Sequence, residues 1–289
     1  IGGRIVTSPD AVNWSLAATL PTAAAPTTAL RGIAHNGSLW VAVGDSGVIF
    51  TSPDTVVWTP RTSPTTQTLL AATYANNQFL ACGNSGTILV SPDGINWSLR
   101  PPLTPVVTQQ LTSITGRLGA YVAVGQTGTI LTSPDSIAWT RVTLPGVTQS
   151  FYNVSLLTGQ FIAVGDTGRI YSSADGIEWT NRTTPTVTNN LRSVTHNGSQ
   201  FIITTDGERI VVTADFATFI SRTLSFNLNT ARLASTSANG LTVAVGQGGE
   251  IATTPDGLAW TQRGGNGTMV QLNGVTFLNT QWFAVGNST

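Results

Sequence analysis

The chain has 289 residues, 13 arginines, no lysine, 13 acidic residues and a formal net charge of zero. With only 9% charged residues it carries no basic stripe able to release counterions from nucleic acid, and no apolar run is long enough to cross a membrane as a helix. Its single cysteine, Cys82, excludes a disulfide framework or thiolate metal cluster, and is expected to be a small buried hydrophobe.

Taken in order, the chain opens on Gly2-Gly3-Arg4-Ile5, which reads as the second half of a turn leading into a strand. It begins at Ile1 rather than Met, so a preceding segment or a longer chain is expected. Residues 28–62 then give one full unit. Thr28 to His35 alternates and ends at Asn36-Gly37, a favoured hairpin turn. Ser38 to Val43 is the next strand, Gly44-Asp45-Ser46-Gly47 a second turn, and Val48 to Thr51 a third strand. Ser52-Pro53-Asp54 opens the third turn, and Val56-Val57-Trp58-Thr59 is expected to start the fourth strand. Four short antiparallel strands, A to D from the inside outward, make a propeller blade. The density of Gly, Pro and Thr argues against any helix.

The unit recurs about every forty residues, as a closed array requires. Asp10, Asp54, Asp93, Asp135, Asp175, Asp215 and Asp256 mark it, each followed four residues on by an aromatic: Trp14, Trp58, Trp97, Trp139, Trp179, Phe219 and Trp260. The chain ends on Phe283-Ala284-Val285-Gly286-Asn287, a strand B and half a turn, which the N-terminus completes. The expected fold is therefore all-β: a seven-bladed β-propeller forming one domain over 1–289. Its ring is closed by N-terminal strands C and D pairing with C-terminal strands A and B. The blades are expected at about 27–64, 65–104, 105–146, 147–186, 187–225 and 226–264, with a composite of 265–289 plus 1–22.

Each marked turn has a structural chemistry. The Asp can accept backbone N–H bonds and lock the turn, Pro presets φ before it, and Gly after it permits positive φ. The aromatic is expected to pack between blades. Seven carboxylates in seven blades cannot converge, so neither a metal nor a catalytic centre is expected from them. A second series, Trp40, Phe79, Tyr121, Phe161, Phe201 and Trp282, reads as inter-blade core, with Thr242 breaking it.

Ser91-Pro92-Asp93-Gly94-Ile95-Asn96-Trp97, Thr254-Pro255-Asp256-Gly257-Leu258-Ala259-Trp260 and Ser173-Ala174-Asp175-Gly176-Ile177-Glu178-Trp179 resemble the Asp-box, or BNR repeat. With the preceding Val-Gly-x-x-Gly-x-Ile phrase, the whole chain is similar to the Ycf48-like propellers, the photosystem II assembly factors and their bacterial and phage relatives. That resemblance implies a seven-bladed fold. It leaves function open, because Asp-boxes occur in sialidases, binding proteins and scaffolds alike.

Strand topology puts the B–C turns and the long D–A loops on one face, where variable loops on a rigid scaffold usually carry function. The ring at the mouth of the central channel contains Arg31, Tyr152 and Arg192, with Arg232 adjacent, and Asp45, Asp166 and Asp206 around them. It is expected to be mildly cationic and able to grip a carboxylate or phosphate, unless the arginines pair with those aspartates. His35 and His196 fall on the opposite face in different blades and are expected to be turn residues. The remaining arginines read as scattered.

A sialidase would need three arginines, a Tyr/Glu pair and an acid, and only Tyr152 lies near the mouth. The expectation is a non-catalytic binding or scaffold propeller that needs no cofactor or metal. Its partner would be a protein or surface glycan, with no nucleic acid and no membrane insertion. Low charge and abundant Thr suit an extracellular, cell-surface or virion setting. The alternatives are a sialidase-type glycoside hydrolase and a photosystem II assembly factor.

Overall fold

A computed structural model describes residues 3–20, 28–101, 106–184, 186–207, 209–224, 234–263 and 271–287. Its strands form seven four-stranded antiparallel sheets arranged as the blades of a propeller. In the first, strand A is Leu30–His35, B is Trp40–Gly44, C is Ile49–Ser52 and D is Thr59–Arg61. The A strands of the remaining blades are Leu69–Ala75, Leu111–Arg117, Phe151–Leu157, Leu191–His196, Ala234–Ala238 and Gln271–Leu278. The seventh sheet is composite. Gly3–Ser8 pairs with Gln281–Asn287, from Gly3 opposite Asn287 to Ser8 opposite Trp282, and Ser15–Thr19 lies outside it.

Blades are joined by apolar side chains from facing sheets. Strand B is buried in every blade except at its end residues because both its faces meet core, which is why Val41-Ala42-Val43 and its counterparts do not alternate. The strand B aromatics are all buried between blades; Trp40, for example, lies 4.0 Å from Phe283 of the closing blade. Thr242, the exception, is also buried and shares a 2.7 Å hydrogen bond with Ser237.

The marked turns have one geometry throughout. In all seven the Asp Oδ1 accepts the N–H groups two and three residues on, as Asp93 does from Ile95 and Asn96, both at 2.8 Å. The indole N–H then donates to the carbonyl of the residue after the Asp; Trp97 Nε1 to Gly94 is 2.9 Å. The six tryptophans Trp14, Trp58, Trp97, Trp139, Trp179 and Trp260 all do this. Each box aromatic packs on the preceding blade: Trp139 joins Leu80, Cys82 and Val90 of blade 2.

Two local expectations need correction. Val56 and Val57 do not begin strand D; they are exposed in the turn, and the strand starts at Thr59, because the turn needs residues up to the indole to close its hydrogen bonds. The B–C turns also contain short 3-10 turns, at Asp45–Gly47, Asn84–Gly86, Asp166–Gly168 and Gln247–Gly249. Gly47 in such a turn has φ +75°, and a Cβ there would sit 2.1 Å from the Thr65 carbonyl, so only glycine lets the D–A loop close over it.

Candidate functional site

Strand A carries a β-bulge near its start in six blades, between Leu30/Gly32, Leu69/Ala71, Leu111/Ser113, Phe151/Asn153, Leu191/Ser193 and Leu272/Gly274. The residue before each bulge is a fully or almost fully buried Leu or Phe that fixes the strand. The extra residue, with no cross-strand partner, is turned toward the axis. Those residues are Arg31, Leu70, Thr112, Tyr152, Arg192 and Asn273, and all six line one central cavity of about 640 Å³. Deeper in, hydroxyls and amides take over, among them Ser113, Asn153, Ser155, Ser193, Thr195 and Ser235. These also stitch the blades: Asn153 Oδ1 accepts from Ser155 Oγ at 3.0 Å and from the Val194 N–H at 3.2 Å, and Ser235 Oγ donates to Ser193 Oγ at 3.0 Å. At the ring closure Asn273 Nδ2 donates to the Leu30 carbonyl at 2.7 Å.

Three bulge residues bind the first residue of their own blade's B–C turn, fourteen positions on. Arg31 grips Asp45 in bidentate fashion, Nε to Oδ1 at 2.9 Å and Nη2 to Oδ2 at 3.0 Å. The Tyr152 hydroxyl donates to Asp166 Oδ1, and Asp166 Oδ2 accepts the Ser150 N–H at 2.9 Å. Arg192 Nη2 reaches Asp206 Oδ2 at 3.3 Å, while Asp206 also accepts both the N–H and the Nδ2 of Asn190. The two sets touch, since the Arg192 guanidinium stacks 4.0 Å above the Tyr152 ring. Burial, and then the bond to Asp166, raise the Tyr152 hydroxyl above its ordinary value, so it stays protonated and donates.

Of the two expectations for the mouth arginines, pairing with the nearby aspartates is the one seen among the described residues. Two guanidiniums face three carboxylates, and each guanidinium already holds one of them. Arg232 lies outside the described residues, as does Glu208. Arg31, Tyr152, Arg192, Asp45, Asp166 and Asp206 do stand on one rim, as the topology requires.

The marked aspartates Asp10, Asp54, Asp93, Asp135, Asp175, Asp215 and Asp256 are not brought together; each serves its own turn. Their N–H donors hold every one of these carboxyls below the usual range. His35 and His196, expected in the turns, are instead the last residues of their A strands, each accepting a glycine N–H of the A–B turn at Nδ1 and lying half-buried against an aromatic ring. Burial pushes the Cys82 thiol up and keeps it inert. Among the described residues no three His, Cys, Asp or Glu side chains stand close enough to hold a metal.

One pattern was missed by reading the arginines as scattered. Arg61, Arg100, Arg141, Arg182, Arg222 and Arg263 occupy strand D or the position just after it in six successive blades. The signal was the distance from the aromatic: three residues on, or two in blade 3. Three of them anchor Nε on a strand C hydroxyl, at Thr51, Ser172 and Thr253.

The family model of the DUF6242 beta propeller domain matches residues 8–151. No curated protein matches the chain. Among solved structures it is similar to YCF48 bound to D1 peptide, with 16% identity over 91% of both chains and a TM-score of 0.71. It is also similar to a catalytically inactive virginiamycin B lyase from Staphylococcus aureus, solved with Quinupristin, with 12% identity over 90% of this chain and 95% of that one and a TM-score of 0.78. The WD40 beta propeller domain of Doa1 aligns at 14% identity, over 96% of this chain and 94% of that one, with a TM-score of 0.70. Matches at identities this low show the shared propeller fold alone, and one of the three neighbours is a lyase.

Proposed function

We propose that the chain is a non-catalytic binding or scaffold propeller that engages a protein partner through its B–C/D–A loop face, at the mouth of the central channel. The observation that carries this is the joined Arg31–Asp45, Tyr152–Asp166 and Arg192–Asp206 sets on the bulged rim of a cavity of about 640 Å³. Side chains already held by one another are pre-organised, which lowers the entropy cost of gripping a partner. With both described rim arginines held by carboxylates and Asp166 held by neutral donors, the rim suits a polar, weakly charged protein segment; a surface glycan there is the other reading. The Ycf48 neighbour bound to a peptide supports the protein reading by fold analogy alone.

Against catalysis, Tyr152 is a protonated donor rather than a nucleophile, and both described rim arginines are already engaged by carboxylates. A sialidase-type site would need its arginines free for substrate. The lyase neighbour supplies the specific observation on the enzymatic side. Photosystem assembly remains a family-level alternative. The seven turns are read as Asp-boxes, supported by their shared Asp-to-N–H and indole-to-carbonyl bonds. An extracellular or virion setting is read from the absence of lysine and the low charge.

Capture from native-host extract, beside a glycan array, tests this with wild type and the Arg31→Ala/Arg192→Ala variant. Capture should drop about tenfold or more in the folded variant. Equal capture by both proteins removes the rim as the site, and turnover of sialosides would overturn the non-catalytic reading.

A further inference from the structure

Between blades 3 and 4 a groove of about 580 Å³ runs down the outer wall, from Gly119 past Thr140–Val142 to Pro145. Trp179 forms one side of it. Trp14, Trp58, Trp97 and Trp139 are all buried, whereas Trp179, like Trp260, is only half-buried. Elsewhere, the residue before the strand B aromatic can reach over the next blade's turn. Gln78 Nε2 donates to Ser136 Oγ at 2.8 Å, and Gln200 Nε2 to the Asp256 carbonyl. In blade 3 that position is Ala120, which is too short to do so, and Arg117 Nη2 reaches the Ala174 carbonyl of that turn instead, away from the indole.

Three polar groups of this groove, Asp175 Oδ2 and the side chains of Glu178 and Arg141, are left open by the sequence. In blades 7 and 2 the Asp Oδ2 is occupied by Asn13 Nδ2 at 2.8 Å and Asn96 Nδ2 at 2.7 Å. In blade 4 the corresponding residue is Glu178, so Asp175 uses only Oδ1, toward the Ile177 and Glu178 N–H groups and Ser173 Oγ. Glu178 and Arg141 are exposed and have no side-chain hydrogen bond or ion pair among the described residues. The Trp179 N–H is already committed to the Gly176 carbonyl at 3.1 Å, so the indole offers only its ring surface.

We propose that this groove binds a neutral glycan, with a pyranose ring packed on Trp179 and its hydroxyls held by Asp175, Glu178 and Arg141. A sugar presents an apolar C–H face and a rim of hydroxyls that both donate and accept, which matches an indole flanked by two acceptors and one donor fork. A polyanion would meet two carboxylates and a polycation would meet Arg141. An extended peptide would use the free edge of strand D, but that edge is common to the blades. The acidic pair belongs to this junction, since the position of Glu178 is Asn13, Val57, Asn96, Ala138, Thr218 or Ala259 in the others.

The test is a panel of neutral gluco-, galacto-, manno- and chito-oligosaccharides, screened on an array with the full chain and followed by calorimetric titration of the best binder. Arg141→Ala and Glu178→Ala remove exposed side chains and should leave the melting temperature unchanged. Each should weaken the glycan about tenfold or more. The Arg31→Ala/Arg192→Ala variant should bind it like wild type, which separates this site from the channel mouth. The proposal is overturned if no oligosaccharide binds, if binding is equal in both groove variants, or if a peptide library occupies the groove instead.

Discussion

At the scale of single residues, the marked aspartates are structural anchors whose charge is part of the anchor. Asp93→Ala should cost about 1–2 kcal/mol, the lower half of the usual range because the turn is exposed. Trp97→Ala, which empties a buried inter-blade site, should cost about 3–5 kcal/mol. Chemical denaturation of both variants checks the order. Thr55 stands at φ +66° where Gly94, Gly176 and Gly257 stand in other blades. A β-branched residue is strained there, and Thr55→Gly should stabilise by about 0.5–1 kcal/mol after the entropy cost of glycine; a lower melting temperature would contradict this. Acid should act in two stages. Burial pushes His35 down to about 4 and lowers His196 as well, so both fold neutral, with Nδ1 accepting a glycine N–H. The unfolded chain, near 6.5, binds those protons first, and stability should fall from about pH 6.5 toward 4. The lowered aspartates keep their full contribution above about pH 4 and lose it as pH falls through their folded values. Melting curves against pH should show both stages, and His35→Gln/His196→Gln should erase only the first.

At the scale of elements, turns were legible and registers were not. Asp-Gly, Asn-Gly and Gly-x-x-Gly name their backbone needs in the residues themselves, and where the glycine is missing, as after Asp10, Asp54, Asp135 and Asp215, the repeat of Asp and aromatic still marks the turn. The bulges are different, because a bulge is a mismatch between two strands and neither Leu30-Arg31-Gly32 nor Gly44 alone states it. The mouth residues could be placed on one rim from topology. That Asp45, Asp166 and Asp206 meet them fourteen residues later, which the sequence left as an alternative for the arginines, depends on the bulge turning Arg31, Tyr152 and Arg192 inward. The strand D arginines were legible in spacing and were overlooked because they follow the aromatic rather than the Asp. The prediction at this scale is that Arg31→Met, which breaks the bidentate pair and keeps an apolar stem, leaves Asp45 unpartnered by Arg31 and costs about 1–2 kcal/mol. No loss on denaturation would mean the pair is not formed in solution.

At the scale of the whole molecule, the ring is closed by chain ends that are distant in sequence. Gly3–Ser8 pairs with Gln281–Asn287, and Ile5 packs with Leu30, Phe50, Trp58 and Phe283 in one inter-blade core. Removing residues 1–15 should therefore bare a strand edge and the faces of Trp282 and Phe283, and the product should aggregate or lose its cooperative transition; a soluble truncation that melts cooperatively would contradict the closure. A rigid closed ring leaves the loop face and the outer grooves to vary, which is where both proposed sites lie. The central claim is that a partner seats on the channel mouth, and hydrogen exchange read by mass spectrometry, with and without the captured partner, tests it most directly. Protection is predicted in peptides covering 44–47, 150–152, 165–168, 190–192 and 205–207, with 91–97 on the opposite face unchanged. Protection of 91–97 and its counterparts, with those mouth segments unaltered, would contradict the account.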